Sequence, residues 1–285
     1  MKDILVFSHM MKTAGTSLSK HLIEYYGKKV HIVPGGLSLR SKDMYNKHRL
    51  IEDYHKKKKE LRVLIGHPVR PWIDLQTDDI NLHWFTFVRE PEKRYLSHFI
   101  HDYYKTNHFT HKKYKNMISK NILEWEKIDK NSNYQCKFLS NEPNAQKAID
   151  ILEEKFDWVG ITEEYKNGII SFKDKFKLND LYVEEIKSNK SLASNEMKNQ
   201  IVRNYKEFIY EKNVEDRKLY EYVKKNIWPK FSNVNDSGHN EVNVKSNSLV
   251  RSLNLIEFHI DRYKKFSKTE INLKNIKRFY KRWVK

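Results

Sequence analysis

The chain has 285 residues, with 55 Lys or Arg against 37 Asp or Glu, so it carries a net charge of +18 and has an isoelectric point near 9.6. This length suits one large α/β domain with or without an appendage and argues against two independent enzymes, while the charge attracts polyanions, nucleotides or an anionic membrane surface without choosing among them. The single Cys136 excludes a disulfide framework and a cysteine-based zinc site, and it fits a buried thiol in a reducing compartment.

The amino-terminal stretch predicts a strand, a phosphate-binding loop and a helix. Residues 4–7 are apolar, and apolar residues return at helical spacing from residue 18 to residue 26. Backbone N–H groups of such a loop, with the positive end of the following helix, form an anion site, and a glycine lets the backbone turn or approach the anion closely. The alternative is an ordinary turn with a solvated lysine. The residues assigned to the anion site are Lys12, Thr13, Ala14, Gly15, Thr16 and Ser17.

Strands and helices are predicted to alternate along the rest of the chain. Apolar runs predict strands at residues 30–33, 62–66, 82–88, 158–161 and 181–186, and helical spacing predicts helices at residues 41–60, 142–156 and 195–225. This order predicts an α/β fold with three layers, in which helices flank a central, mostly parallel sheet. Turn-forming residues at 232–240 separate a domain of residues 1–231 from a linker and basic helical extension, residues 232–285.

Two polar residues that follow predicted strands are candidates for function, because ligands bind at the carboxyl ends of parallel strands. His67 suits a base near pH 7, although a capping or core role is the alternative. Arg89 and Ser97 are expected to face one anion, since Arg forms bidentate contacts with phosphate and a hydroxyl adds a donor. A surface ion pair of Arg89 with Glu90 or Glu92 is the competing interpretation.

Two motifs in this order resemble those of sulfotransferases that use 3′-phosphoadenosine 5′-phosphosulfate. The sequence HMMKTAGTS, residues 9–17, resembles their 5′-phosphosulfate loop, and FTFVREPEKRYLSHF, residues 85–99, resembles their 3′-phosphate motif. Further matches are NYQCKFL at 133–139, WVGITE at 158–163 and NVEDRKLY at 213–220. Together they are similar to the carbohydrate O-sulfotransferase branch, which includes the heparan sulfate 2-O-sulfotransferases and their bacterial relatives. The resemblance covers residues 3–230.

The resemblance implies a P-loop-like domain that transfers a sulfuryl group from 3′-phosphoadenosine 5′-phosphosulfate to a carbohydrate hydroxyl by in-line displacement, without a metal. It implies that His67, in the Gly-His pair after a central strand, is the base, and that Lys12 lies near the bridging oxygen. Arg89 and Ser97 would hold the 3′-phosphate, and a loop near residue 189 would close over the adenosine. The residues implied to bind this co-substrate are Lys12, Thr13, Ala14, Gly15, Thr16, Ser17, Arg89, Ser97, Lys187, Asn189 and Ser191.

The sequence departs from the animal enzymes at three points. They have a second His two residues before the base, where this chain has Ile65, so help from that imidazole is not expected. They have Ser at the position of Gly15, a change that leaves a backbone cradle possible. They are Golgi proteins with a membrane anchor, whereas no signal peptide or transmembrane run is visible here, which favours a cytoplasmic bacterial protein.

The expected partner is a carbohydrate acceptor, either anionic or lipid-linked. The basic extension has three possible roles: packing on the domain, an oligomer contact, or contact with the inner face of a membrane.

A P-loop kinase is a competing function, but Lys12 precedes Gly15, the reverse of the nucleotide-triphosphatase loop. A nucleic-acid-binding protein is suggested by the charge and by 17 Tyr, 14 Phe and 6 Trp, but the aromatic residues lie at core-like spacings. Glu163 and Glu164 fit either acid–base work or a helix N terminus.

Overall fold

The computed structural model describes residues 1–34, 44–57, 59–108, 122–129, 131–181, 193–232 and 250–258. The strands in these ranges are β1 (Lys2–Ser8), β2 (Val30–Ile32), β3 (Val63–Gly66), β4 (Ile80–Val88) and β5 (Phe156–Ile161). They form one five-stranded parallel sheet in the order β2-β3-β1-β4-β5. The first strand is therefore central, with β3 on one side and β4 on the other.

The inner strands are almost continuous apolar runs, as expected where helices cover both faces of a sheet. Ile4, Val6 and Phe7 in β1 and Val63 and Leu64 in β3 are completely buried. The predicted three-layer α/β fold with a central, mostly parallel sheet is confirmed, and the sheet is wholly parallel where it is described.

The helices predicted at residues 41–60, 142–156 and 195–225 are confirmed within those limits, and the last of them is divided at Asn213. Asn46 and Asn144 accept hydrogen bonds from backbone N–H groups three residues on, so the helices predicted from residues 41 and 142 start later. Phe156 joins β5 rather than the helix before it. Residues 182–186, most of a predicted strand, lie outside the described residues. The α-helices described up to residue 232 are α1 (Gly15–Tyr26), α2 (Lys47–Lys56), α3 (Pro91–His108), α4 (Ile122–Asp129), α5 (Tyr134–Ser140), α6 (Ala145–Lys155), α7 (Tyr165–Lys175), α8 (Asn195–Lys212), α9 (Val214–Tyr222) and α10 (Pro229–Ser232).

Buried side chains form two clusters. The larger one surrounds the sheet and includes the buried Cys136, as the sequence predicts for its single thiol. The smaller one joins α3, α4 and α8 through Tyr95, Phe99, Trp125 and Ile209. This second cluster holds α3, the helix that follows Arg89, against α8.

Residues 250–258 are helical and pack against the main domain. Leu255 and Phe258 are buried in the larger cluster. The Asn254 amide donates hydrogen bonds to the carbonyl oxygens of Glu24 (2.9 Å) and Tyr25 (3.2 Å), near the end of α1. The last carbonyl groups of an α-helix lie beyond its regular hydrogen-bond pattern, and Asn254 donates to two of them from a distant part of the chain.

Candidate active site

The candidate site lies at the edge of the sheet where the carboxyl ends of β1, β3 and β4 meet. β1 continues into the loop of residues 9–14, β3 into His67 and β4 into Arg89. Because these strands are parallel neighbours, all three motifs singled out in the sequence lie at one edge of the sheet.

The loop of residues 9–14 has an unusual backbone conformation. Lys12 and Ala14 have left-handed backbone angles, with φ of 67° and 63°, which are uncommon for residues other than glycine. The Thr13 hydroxyl donates to the carbonyl oxygen of Met10 at 3.1 Å, which closes the turn and uses the hydroxyl proton. Helix α1 then begins with neither a side-chain cap nor an acidic residue in its first turn. Its N terminus is therefore open to an anion.

Arg89 connects the end of β4 to the loop that follows β1. Its Nη1 donates a hydrogen bond to the carbonyl oxygen of Lys12 at 2.9 Å. Its Nε lies 4.0 Å from a carboxylate oxygen of Glu163, which is a long ion pair on a partly exposed side chain and worth little. Burial lowers the pKa of Arg89, and nearby carboxylates partly offset this effect. Among the described residues, the guanidinium makes its hydrogen bond through Nη1, its Nε is buried, and Nη2 is left as a donor for a ligand.

The carboxylates around Arg89 are mainly bound to other groups. The competing interpretation paired Arg89 with Glu90 or Glu92, but these carboxylates bind elsewhere: Glu90 to Lys93 and Glu92 to Arg217. Glu163 accepts from the backbone N–H of Glu90 and from the Tyr220 hydroxyl. Glu163 also lies in the short 3₁₀ turn Thr162–Glu164 that leads into α7. Its place before a helix and its bonds to Glu90 and Tyr220 match the helix-terminus interpretation better than a role as an acid or base.

Lys12 lies in the field of a second cation. Burial and the charge of Arg89 lower the pKa of Lys12, while Asp102 raises it. The Asp102 carboxylate is itself bound to the His101 ring and to the Trp125 indole N–H, both at 3.1 Å. Two positive charges are therefore neighbours here, and the carboxylates nearest to them are bound to other groups. A bound polyanion would offset the repulsion between the two charges.

Gln135 holds the backbone of Arg89. Its amide oxygen accepts a hydrogen bond from the Arg89 N–H, and its amide nitrogen donates one to the Arg89 carbonyl, both at 2.9 Å. Gln135 is completely buried, so both bonds form in surroundings of low dielectric constant. This two-bond clamp fixes the direction in which the Arg89 side chain leaves β4.

The clamp is anchored where α5 and α9 cap each other. The Asp216 carboxylate accepts hydrogen bonds from the backbone N–H groups of Gln135 (3.0 Å) and Cys136 (2.8 Å) at the start of α5. The Asn133 side chain accepts from the N–H groups of Glu215 (3.0 Å) and Asp216 (3.2 Å) at the start of α9. Each helix thus satisfies donors that the other leaves unpaired.

His67 has one ring nitrogen engaged by the backbone. Its Nδ1 lies 2.6 Å from the carbonyl oxygen of His9. Because a carbonyl only accepts, Nδ1 carries the proton of the neutral imidazole and Nε2 carries the lone pair. Burial lowers the pKa of His67, the bond to His9 raises it, and the charge of Arg70 lowers it. With its pKa below the usual 6.5, His67 is neutral at pH 7 and suited to accept a proton at Nε2.

Arg70 places a buried positive charge near His67. Its side chain is completely buried, and its guanidinium carbon lies 3.6 Å from the centroid of the Phe138 ring. A desolvated cation–π contact of this kind stabilises by about 2 kcal/mol. Phe138 belongs to α5, the helix that also carries Gln135. One short helix therefore supports both Arg89 and the surroundings of His67.

No protein-family model matches this chain, and no curated protein matches it either. Among the described helices, none combines the length and the apolar composition needed to cross a membrane. The chemistry open to the site therefore follows from its own residues: a neutral imidazole, two cations and a helix N terminus.

The residues predicted to bind the co-substrate differ in what the structure shows of them. Lys12 and Arg89 are in contact, and Thr16 lies half-buried in the first turn of α1. The Ser17 hydroxyl lies beside the buried Tyr165 hydroxyl. Ser97 is half-buried in the second turn of α3, and no hydrogen bond within the described ranges joins it to Arg89. The remaining predicted residues, Lys187, Asn189 and Ser191, lie outside the described residues.

Sequence reasoning missed three residues at this site: His9, Arg70 and Gln135. His9 follows β1 by one residue, as His67 follows β3, so the strand order would have revealed it. Ile65, where the animal enzymes have a second imidazole, is buried in β3, but an imidazole does lie beside His67 and comes from His9. Nothing in the local sequence indicates that Arg70 is buried on an aromatic ring or that Gln135 reaches Arg89.

Proposed function

We propose that this protein is a sulfotransferase that moves a sulfuryl group from 3′-phosphoadenosine 5′-phosphosulfate to a hydroxyl of a carbohydrate. The observation that carries the proposal is the contact between Arg89 and Lys12, which joins two cationic motifs from neighbouring strand ends. A nucleotide with phosphate groups at both its 5′ and 3′ positions needs two anion sites within its own length. The contact between Arg89 and the loop around Lys12 supports two such sites, and His67 follows β3, the strand beside β1.

The two anion sites have different tasks in this proposal. Lys12 and the N–H groups at the start of α1 hold the 5′-phosphate, because a helix N terminus favours negative charge. Arg89 holds the 3′-phosphate with the guanidinium donors that Lys12 does not use. ATP and ADP have no 3′-phosphate, so Arg89 is the residue that distinguishes the sulfuryl donor from the common nucleotides.

Sulfuryl transfer requires a base, a counter-charge for the leaving phosphate and in-line alignment. The acceptor oxygen bonds to sulfur while the bond from sulfur to the phosphate oxygen breaks. His67 Nε2 takes the acceptor proton, and Lys12 balances the charge that the departing phosphate gains. The products are a sulfate ester, 3′-phosphoadenosine 5′-phosphate and a protonated His67, which then releases its proton to water.

The acceptor is proposed to be an anionic or lipid-linked saccharide that the protein meets in the cytoplasm or at the inner face of the membrane. A net charge of +18 supports this choice, because a positive field raises the local concentration of acidic glycans as well as of the nucleotide. Such attraction weakens with salt, so the KM for an acidic acceptor should rise with ionic strength more than that for a neutral one.

Calorimetry with purified protein tests the proposal. We expect 3′-phosphoadenosine 5′-phosphate to bind at least about 10-fold more tightly than AMP, because a charge-assisted hydrogen bond contributes about 1.5–3 kcal/mol. Transfer of ³⁵S from the labelled donor to acidic polysaccharides then measures activity. Tight binding of ATP with Mg²⁺ and no preference for the 3′-phosphate would contradict the proposal and favour a kinase.

A further inference from the structure

His9 and His67 occupy equivalent positions on neighbouring strands. Ser8 at the end of β1 pairs with Gly66 at the end of β3, so His9 and His67 are the next residues in register. The His9 N–H donates to the Gly66 carbonyl at 3.4 Å. The two imidazole rings lie side by side, with their centroids 4.4 Å apart and their planes at 36°.

The His9 ring is held from two further directions. On one side it stacks on Phe7 with the centroids 5.0 Å apart and the planes within 8°, and Phe7 stacks on Phe85 of β4 in the same way. On another side it lies against Gly15, where a methyl group would overlap its Cδ2 and Nε2 atoms. A continuous row of ring contacts therefore runs from Phe85 through Phe7 and His9 to His67, and Gly15 leaves room for it.

We propose that His9 is a positioning residue for His67, and that residue 15 is glycine in order to seat the His9 ring. The catalytic consequence rests on the proposed function, whereas the placement of the His67 ring does not. The His9 carbonyl fixes which nitrogen of His67 carries the proton, and the His9 ring restricts rotation of the His67 side chain. A base locked in one rotamer by packing and by a hydrogen bond meets its substrate without reorganisation.

His9 does not compete with His67 for the acceptor proton. Burial and the neighbouring His67 ring lower the pKa of His9 well below its usual value. The charged group that acts on His67 is Arg70, which lowers the pKa of that imidazole less than burial does. Two imidazolium charges at this separation are unfavourable, so the pair takes up one proton, and His67 is the ring that holds it.

Glycine at position 15 has a competing explanation, which is close approach of an anionic ligand to the backbone. The two explanations differ in whether they depend on the His9 ring. If the ring needs the space, Gly15→Ala is harmful only while His9 is present. If a ligand needs the space, Gly15→Ala weakens nucleotide binding whether or not His9 is present.

A double-mutant cycle of wild type, His9→Ala, Gly15→Ala and the double variant separates these explanations. NMR of ¹⁵N-labelled histidines gives the tautomer and pKa of His67 in each protein without any ligand. In the wild type we expect the pKa of His67 to lie below 6.5. It should shift toward 6.5 in both single variants, because His9→Ala removes the His9 ring and Gly15→Ala displaces it. The double variant should show no further shift of the His67 pKa. If Gly15→Ala does not fold, an unshifted His67 pKa in His9→Ala alone overturns the proposal.

The same four proteins are then compared in kcat and in nucleotide affinity. Gly15→Ala should lower kcat by about 10- to 100-fold when His9 is present, because small displacements of a catalytic group cost this much. The double variant should bind 3′-phosphoadenosine 5′-phosphate within about twofold of His9→Ala. Losses of affinity from Gly15→Ala that are equal in both backgrounds overturn the proposal. If the wild type does not bind the nucleotide, the proposed function fails, and the NMR cycle still decides the role of His9.

Discussion

Asp216 and Gln135 are 81 residues apart in sequence, yet the Asp216 carboxylate accepts a hydrogen bond from the Gln135 backbone N–H at 3.0 Å. The Gln135 side chain in turn clamps the backbone of Arg89, whose guanidinium bonds to the Lys12 carbonyl. A buried carboxylate in α9 is thus linked, through two contacts, to the arginine at the candidate anion site. Mutations in this chain of contacts should therefore change nucleotide affinity, although the mutated residues lie outside the candidate site.

Gln135→Leu should affect both stability and affinity. The change leaves the Arg89 N–H and carbonyl without their partners, so we expect the free energy of unfolding to fall by about 1–3 kcal/mol in urea titrations. Because Arg89 is no longer fixed, affinity for 3′-phosphoadenosine 5′-phosphate should fall more than affinity for AMP. Gln146→Leu, on an exposed face of α6, is the matched control. A loss of stability with unchanged preference for the 3′-phosphate would show that the clamp does not orient Arg89.

Arg89→Ala should remove the preference for the 3′-phosphate. We expect 3′-phosphoadenosine 5′-phosphate to bind about 10- to 100-fold more weakly, whereas AMP affinity should change much less, because AMP has no group that needs the guanidinium. Calorimetry with both nucleotides measures the difference, and Lys93→Ala, an exposed cation in α3, serves as the control. The assignment of Arg89 is wrong if the variant still separates the two nucleotides as well as the wild type does.

His67→Ala should separate binding from turnover. Loss of a general base lowers rates by about 10²- to 10⁴-fold, whereas the anion sites on β1 and β4 are left in place. Nucleotide affinity by calorimetry should therefore stay close to that of the wild type while ³⁵S transfer falls. His48→Ala, an exposed histidine in α2, controls for loss of an imidazole elsewhere. Unchanged turnover in His67→Ala would remove His67 from the mechanism.

The pH dependence of kcat/KM should have its acid limb below pH 6.5. The base works when neutral, so the rate rises as His67 loses its proton, and the midpoint follows its lowered pKa. Arg70→Met keeps an apolar contact with Phe138 but removes a charge that lowers this pKa, so the midpoint should move up toward 6.5. A midpoint that stays in place or moves to lower pH would contradict the role given to Arg70.

The sequence predicted the elements of this fold better than the contacts between them. Apolar runs located the strands, and helical spacing located α1, α2, α6, α8 and α9, whereas α4, α5 and α7 were not predicted. The polar residues at strand ends, His67 and Arg89, lie at one edge of the sheet as expected. Periodicity does not say which strands are neighbours, however, so it could not place His9 beside His67. The reciprocal caps of Asn133 and Asp216 likewise depend on two helices that meet only in the folded chain.

The cap that Asn254 provides has a practical meaning for work with shortened proteins. The N terminus of α1 follows the candidate anion loop. Its C terminus is capped by Asn254, which lies more than two hundred residues further along the chain. Cutting the chain after residue 231 would discard that fastening together with the buried Leu255 and Phe258. The shortest piece that keeps α1 secured at both ends therefore extends to residue 258.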